Sequence, residues 1–100
     1  PLYTRLWKED GGKITSKVVN IKDVESTLPS DIQKKWDEEL KQNYVEYTDG
    51  SATYKMWIED EKSITEKIGL AKKYDLAGIA FWEKDREYDG FWQFVANEYK

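Results

Sequence analysis

YKMWIEDEKSITEKIGLAKKYDLAGIAFWE, residues 54–83, reads as a strand end, an acidic corner, a helix and a second strand. Ser63-Ile-Thr-Glu66 has the spacing of a capping box, in which a Ser hydroxyl bonds the third helical N–H and the Glu reaches back. The helix is therefore expected over Ser63 to Tyr74. Its apolar positions Ile64, Ile68 and Ala71, with Tyr74 at the flank, commit one face to packing, while Thr65, Glu66, Lys72 and Lys73 lie opposite. Lys72 and Lys73 suit the carbonyl end of the helix dipole, and Leu76-Ala-Gly78 breaks the pattern. Ile79-Ala-Phe-Trp82 is apolar without alternation, which predicts a strand buried on both faces as in a parallel sheet. Such a strand would deliver Trp82 and Glu83 to its C-terminal edge, where α/β folds bind ligands.

A chain of 100 residues holds one domain at most. A parallel strand needs neighbours joined by crossovers of a dozen or more residues, and only one helix-to-strand unit is legible. The chain thus reads as part of something larger. It opens on Pro1-Leu-Tyr-Thr-Arg-Leu-Trp7, an apolar strand without an initiator Met or a signal peptide.

Net charge is −4 with Lys and Glu interspersed, which argues against a nucleic-acid partner, since that requires a basic face. No apolar run approaches the length of a membrane span. Cys and His are both absent, so thiol chemistry, disulfides, His bases and zinc sites are excluded, and neither a metal nor another cofactor is expected. Five Trp and seven Tyr make the chain dense in aromatics. Rings in such numbers serve either as core or as platforms that stack on sugars.

In chain order, Leu2, Thr4 and Leu6 alternate with Tyr3, Arg5 and Trp7, so the latter three share a face that is either a solvated edge or a ligand wall. Glu9-Asp-Gly-Gly12 signals a turn before a short strand over Lys13 to Val19. Asn20 is placed to cap a brief helix with the stripe Ile21, Val24, Leu28, stopped by Pro29. Residues 30–42 fit either a helix on Ile32, Trp36 and Leu40 or two strands and a turn. The strands are preferred, because Tyr44 to Tyr47 and Thr53 to Ile58 form a hairpin around Asp49-Gly50 and need a partner. Asp89 is placed to cap a last helix with Phe91, Phe94 and Val95 inward.

Together these residues resemble the C-terminal part of a glycoside hydrolase family 18 catalytic domain, nearest to the spore-cortex and cell-wall N-acetylglucosaminidases of Gram-positive bacteria. That family is a (β/α)8 barrel whose seventh strand ends in Pro-x-Tyr-x-Arg, matched by Pro1, Tyr3 and Arg5, with Trp7 following. A small α+β insertion comes next, then an acidic corner, a Ser-initiated helix and an eighth strand ending in Trp. Here those are residues 11–58, Glu59-Asp60, Ser63 to Tyr74, and Gly78 to Trp82. The resemblance implies an α+β chain that is the last part of a TIM barrel carrying an antiparallel insertion. Its divisions are 1–10, the barrel strand end; 11–58, the insertion; and 59–100, a closing helix-strand-helix.

The family's Asp-x-x-Asp-x-Asp-x-Glu signature, whose final Glu protonates the leaving oxygen, is absent. Asp85, Glu87 and Asp89 alternate but read as a solvated acidic loop. No catalytic residue is therefore assigned. The resemblance implies that Trp82 is the platform under the sugar, that Tyr3 and Arg5 orient it, and that Glu83 and Trp7 add contacts; core and strand-face packing are the alternatives. Trp36, Trp57 and the insertion tyrosines either line the far side of a cleft or pack the hairpins. The implied partners are an N-acetylglucosamine-containing glycan, peptidoglycan or chitin, and the remainder of the parent barrel, with self-association of the chain on its own. The implied setting is exported, at the cell wall or spore. The parent would be a glycosidase working by substrate-assisted retaining hydrolysis, and this stretch alone would be inactive. A non-catalytic glycan-binding or interaction module is the other reading.

Overall fold

A computed structural model describes residues 1–99. Five strands form one antiparallel sheet: β1 (Tyr3–Asp10), β2 (Lys13–Asn20), β3 (Lys35–Asp37), β4 (Gln42–Asp49) and β5 (Ala52–Ile58), in the order β2-β1-β5-β4-β3. Three helices accompany them: α1 (Val24–Thr27), entered through a 3-10 turn over Ile21–Asp23, α2 (Glu61–Lys73) and α3 (Phe91–Tyr99). The molecule is a small α+β fold.

Turn chemistry sets the sheet register. Gly11 and Gly12, at φ 59° and 81°, supply the two positive φ angles that a two-residue hairpin loop demands, and Asp10 then pairs with Lys13. Gly50, at φ 63°, supplies one such angle in the two-residue loop between Asp49 and Ala52, which pair. Residues 30–42 form no helix: they hold β3, a turn over residues 38–41 and the first residue of β4. Asp37 Oδ1 accepts from the Glu39 and Leu40 N–H groups at 3.0 and 2.9 Å, which folds the chain back from β3 into β4.

Alternation then sorts side chains between two faces. Leu6, Val19, Val45, Met56 and Ile58 lie on one, where Val24 and Leu28 of the α1 region cover them. A second cluster of Leu2, Ile21, Ile64, Ile68 and Phe91 joins α2 and α3 to the sheet end, with Phe81 set edge-on against Phe91 at 5.1 Å. Lys62 of α2 lies over the Trp36 ring at 3.9 Å and ties β3 to that helix.

Several expected details differ. The cap of α2 is Asp60, not Ser63: the Asp60 carboxylate accepts from Ser63 N–H at 3.1 Å, and Ser63 Oγ accepts from Asp60 N–H at 2.9 Å. The capping box is therefore Asp-x-x-Ser, three residues earlier, and Ser63 is buried at N3. A carboxylate one turn upstream outcompetes the hydroxyl because it also complements the helix dipole. At the far end the helix stops before Leu76-Ala-Gly78. Asp75 takes the left-handed position at φ 51°, while its N–H bonds Lys72 O and that of Leu76 bonds Ala71 O, which is a Schellman motif.

Asn20 precedes the 3-10 turn but makes no side-chain cap; its amide oxygen is taken by Arg86. Asp89 makes no hydrogen bond among the described residues, and α3 enters through Gly90 at φ 89°. Ile79–Trp82 is not a strand. A strand requires a hydrogen-bonded ladder, and the backbone bond there is that of Leu2 N–H to Trp82 O. Phe81 is half-buried, while Ile79, Ala80 and Trp82 are exposed.

Candidate functional site

Tyr3, Arg5 and Trp7 stand together on the sheet face opposite the core, as the β1 alternation requires. The register adds neighbours to that face: Trp7 sits beside Ser16 and Lys55, and Tyr44 opposes Trp57. Trp7 is 41% exposed and Trp57 37%, so both rings meet solvent. Tyr44 packs on Trp57 with centroids 4.8 Å apart and donates its hydroxyl to Glu46 at 2.9 Å; Lys55 lies 3.6 Å from the same carboxylate. Burial first, and then Glu46, raise the Tyr44 phenol above its ordinary value, so it remains a neutral donor. Arg5 donates to Ser16 Oγ at 3.1 Å. A groove of about 220 Å³ runs between Trp7, Ile14, Lys55 and Trp57.

Glu83 and Tyr3 are brought together at the base of β1 by a residue that the sequence did not single out, and the backbone bond from Leu2 N–H sets Trp82 next to them. Arg86 Nε donates to Glu83 Oε1 at 3.2 Å, its Nη1 donates to Asn20 Oδ1 at 2.9 Å, and its guanidinium lies 5.4 Å from the centre of the Tyr3 ring. Trp82 is 66% exposed, the peptide that joins it to Glu83 is cis, and its carbonyl accepts from Leu2 N–H. Arg5 and Trp7 lie farther out: four residues of strand put Trp7 roughly 13 Å from Tyr3 along β1.

The chemistry available is recognition. Exposed rings offer apolar faces to sugar C–H groups, and Arg5, Lys55, Glu46 and Glu83 offer donors and acceptors to hydroxyls. A general acid is a different matter, because it needs a carboxyl whose proton is held by burial or by a like charge. Glu59, the most buried carboxylate at 5% exposure, instead accepts from Ser63 Oγ at 2.6 Å and is paired with Lys67. Glu87 is held below the ordinary carboxylate range by hydrogen bonds from its own backbone N–H, the Trp92 indole and Asp85 N–H. The acidic loop is thus partly structural rather than merely solvated.

One contributor escaped the sequence reading. Trp57 was named there, but its alternation with Thr53 and Lys55 left cleft lining and hairpin packing both open. Arg86 gave no signal, because Asn20 is 66 positions away and Tyr3 stands near the other end of the chain, while Glu83, three residues before it, belongs to no repeating pattern.

No family model matches the chain. The cortical fragment-lytic enzyme of Bacillus subtilis (strain 168) is 26% identical over 65 residues, 64% of this chain and 15% of that protein. Among solved structures, the chitinase from Chromobacterium violaceum ATCC 12472 superposes with a TM-score of 0.83 at 23% identity, covering 98% of this chain and 31% of its own. The spore cortex-lytic enzyme SleL from Bacillus megaterium QM B1551 gives 0.81 at 23% identity, covering 99% and 24%. The chain therefore has the fold found in a part of these hydrolases, and it spans 15% of the length of the curated relative.

Proposed function

We propose that this chain is the substrate-binding C-terminal segment of a glycoside hydrolase of family 18 type, acting on N-acetylglucosamine-containing polysaccharide, peptidoglycan or chitin. The observation that carries the reading is the exposed Trp82 beside Tyr3 and Glu83, continued outward on β1 by Arg5 and Trp7. In this reading Trp82 is the floor under one sugar, Tyr3, Arg5 and Glu83 bond its hydroxyls, and Trp7 meets the next part of the polymer. Residues 1–10 are the end of a barrel strand that runs on into an insertion over 11–58, and 59–100 close the barrel. Leu70, Tyr74, Leu76 and Ile79 are exposed, which supports the remainder of a parent chain as the partner that packs on them. An exported parent at the cell wall or spore fits this substrate.

Substrate-assisted retaining hydrolysis needs an acid within reach of the leaving oxygen, and residues 1–100 supply only the positioning groups. Hydrolysis of a fluorogenic N-acetylglucosamine oligomer tests the division of labour. The parent turns it over and residues 1–100 alone do not. Turnover by the chain alone would overturn the assignment of roles, and an inactive parent would favour a binding module.

A further inference from the structure

We infer that Arg86 is a positioning residue for glycan binding, acting through Glu83; the inference rests on the functional reading given above. Its guanidinium joins three stretches distant in sequence. It holds Glu83 in the loop after Trp82, Asn20 at the end of β2, and the Tyr3 ring at the start of β1. The main chain reinforces the join, since Arg86 N–H donates to Glu83 O at 3.3 Å and Arg86 O accepts from Lys22 N–H at 3.2 Å.

The fork of the guanidinium decides the geometry. Nε engages one Glu83 oxygen, while Oε2 accepts no hydrogen bond among the described residues and stays available to a sugar hydroxyl. A carboxylate fixed at one oxygen loses little rotamer entropy when the other binds ligand. The same contact fixes the start of the loop that presents Trp82. A lysine cannot reproduce this, because one ammonium is a point charge that cannot bond Glu83 and Asn20 in two fixed directions while also lying over the Tyr3 ring.

The test is titration of residues 1–100 with tri-N-acetylchitotriose by calorimetry, for wild type, Arg86→Gln, Arg86→Lys, Glu83→Ala and the Arg86→Gln/Glu83→Ala double variant. Amide exchange at Leu2 and Lys22 is followed in parallel. Arg86→Gln and Arg86→Lys each weaken binding about five- to tenfold, and both amides exchange faster. In the Glu83→Ala background the Arg86→Gln change costs less than about twofold more, because its route of action is already gone. A merely structural role would instead give independent, multiplying losses. That outcome overturns the inference, as does wild-type binding by Arg86→Gln. If the wild-type chain binds no trisaccharide, the functional reading itself falls and the inference with it, whatever the exchange data show.

Discussion

Trp82 owes its exposure to what its neighbours do. Phe81 turns inward onto Phe91 and Trp92, Leu2 N–H pins the Trp82 carbonyl, and the indole is left in solvent. Burying a ring of that size would stabilise the fold by a few kcal/mol at most, and here that free energy is left for a ligand. Ring stacking contributes on the order of 1 kcal/mol beyond area, so Trp82→Ala is expected to weaken tri-N-acetylchitotriose binding at least several-fold. The melting temperature should hardly move, since a 66%-exposed side chain contributes little to the core. Calorimetric titration with a parallel thermal scan checks both. A large drop in melting temperature with unchanged affinity would make Trp82 a packing residue.

At the scale of elements, Ser63 is the hinge between β5 and α2. Its hydroxyl accepts from Asp60 N–H and donates to Glu59, a carboxylate buried at the end of the strand pair. Ser63→Ala removes half of the capping box and one partner of a buried charge, for an expected loss of about 2 kcal/mol in urea unfolding. A change below about 0.5 kcal/mol would contradict this account of the cap. Tyr88 links α2 to the last loop by donating to Glu61 Oε1 at 2.6 Å. Burial first, then that carboxylate, push its phenol well above its ordinary value. An unfolded Tyr ionises near pH ~10 while the folded one keeps its proton, so above that pH the unfolded state binds fewer protons and stability falls. The stability is fully present below pH ~10 and declines as pH rises further. Tyr88→Phe should flatten the decline, measured as urea midpoints from pH ~8 to ~11; an equally steep decline would exclude Tyr88 as a source. These elements were legible to different depths. The hairpins followed from Gly11-Gly12 and Asp49-Gly50 because turn chemistry is local. The helix over Ile64, Ile68 and Ala71 was legible by period, but its cap was misplaced because Asp60 and Ser63 both start plausible boxes. Ile79–Trp82 misled because composition reports a demand for burial, whereas a strand also needs a paired neighbour.

The whole molecule has one covered sheet face and one open face, with the aromatic band of β1, β5 and β4 on the open side. The face shared by Tyr3, Arg5 and Trp7 was readable from alternation alone. Its completion by Trp57 and Tyr44 needed the sheet order, and the gathering of Tyr3, Glu83 and Asn20 around Arg86 needed the tertiary fold. No helix among the described residues is long and apolar enough to cross a membrane. Leu70, Tyr74, Leu76 and Ile79 leave an apolar stretch in solvent, so residues 1–100 alone should self-associate with rising concentration. Light scattering showing a monomer at every concentration would contradict that, and Leu76→Glu should reduce the association. The central proposal is that the chain recognises an acetylated amino sugar without cleaving it. Calorimetric titration of residues 1–100 with tri-N-acetylchitotriose and with a glucose trimer of the same linkage tests this most directly. The account predicts saturable binding of the first, at least several-fold tighter than the second, with the sugar recovered intact; equal affinity for the two trimers, or no binding of either, would contradict it.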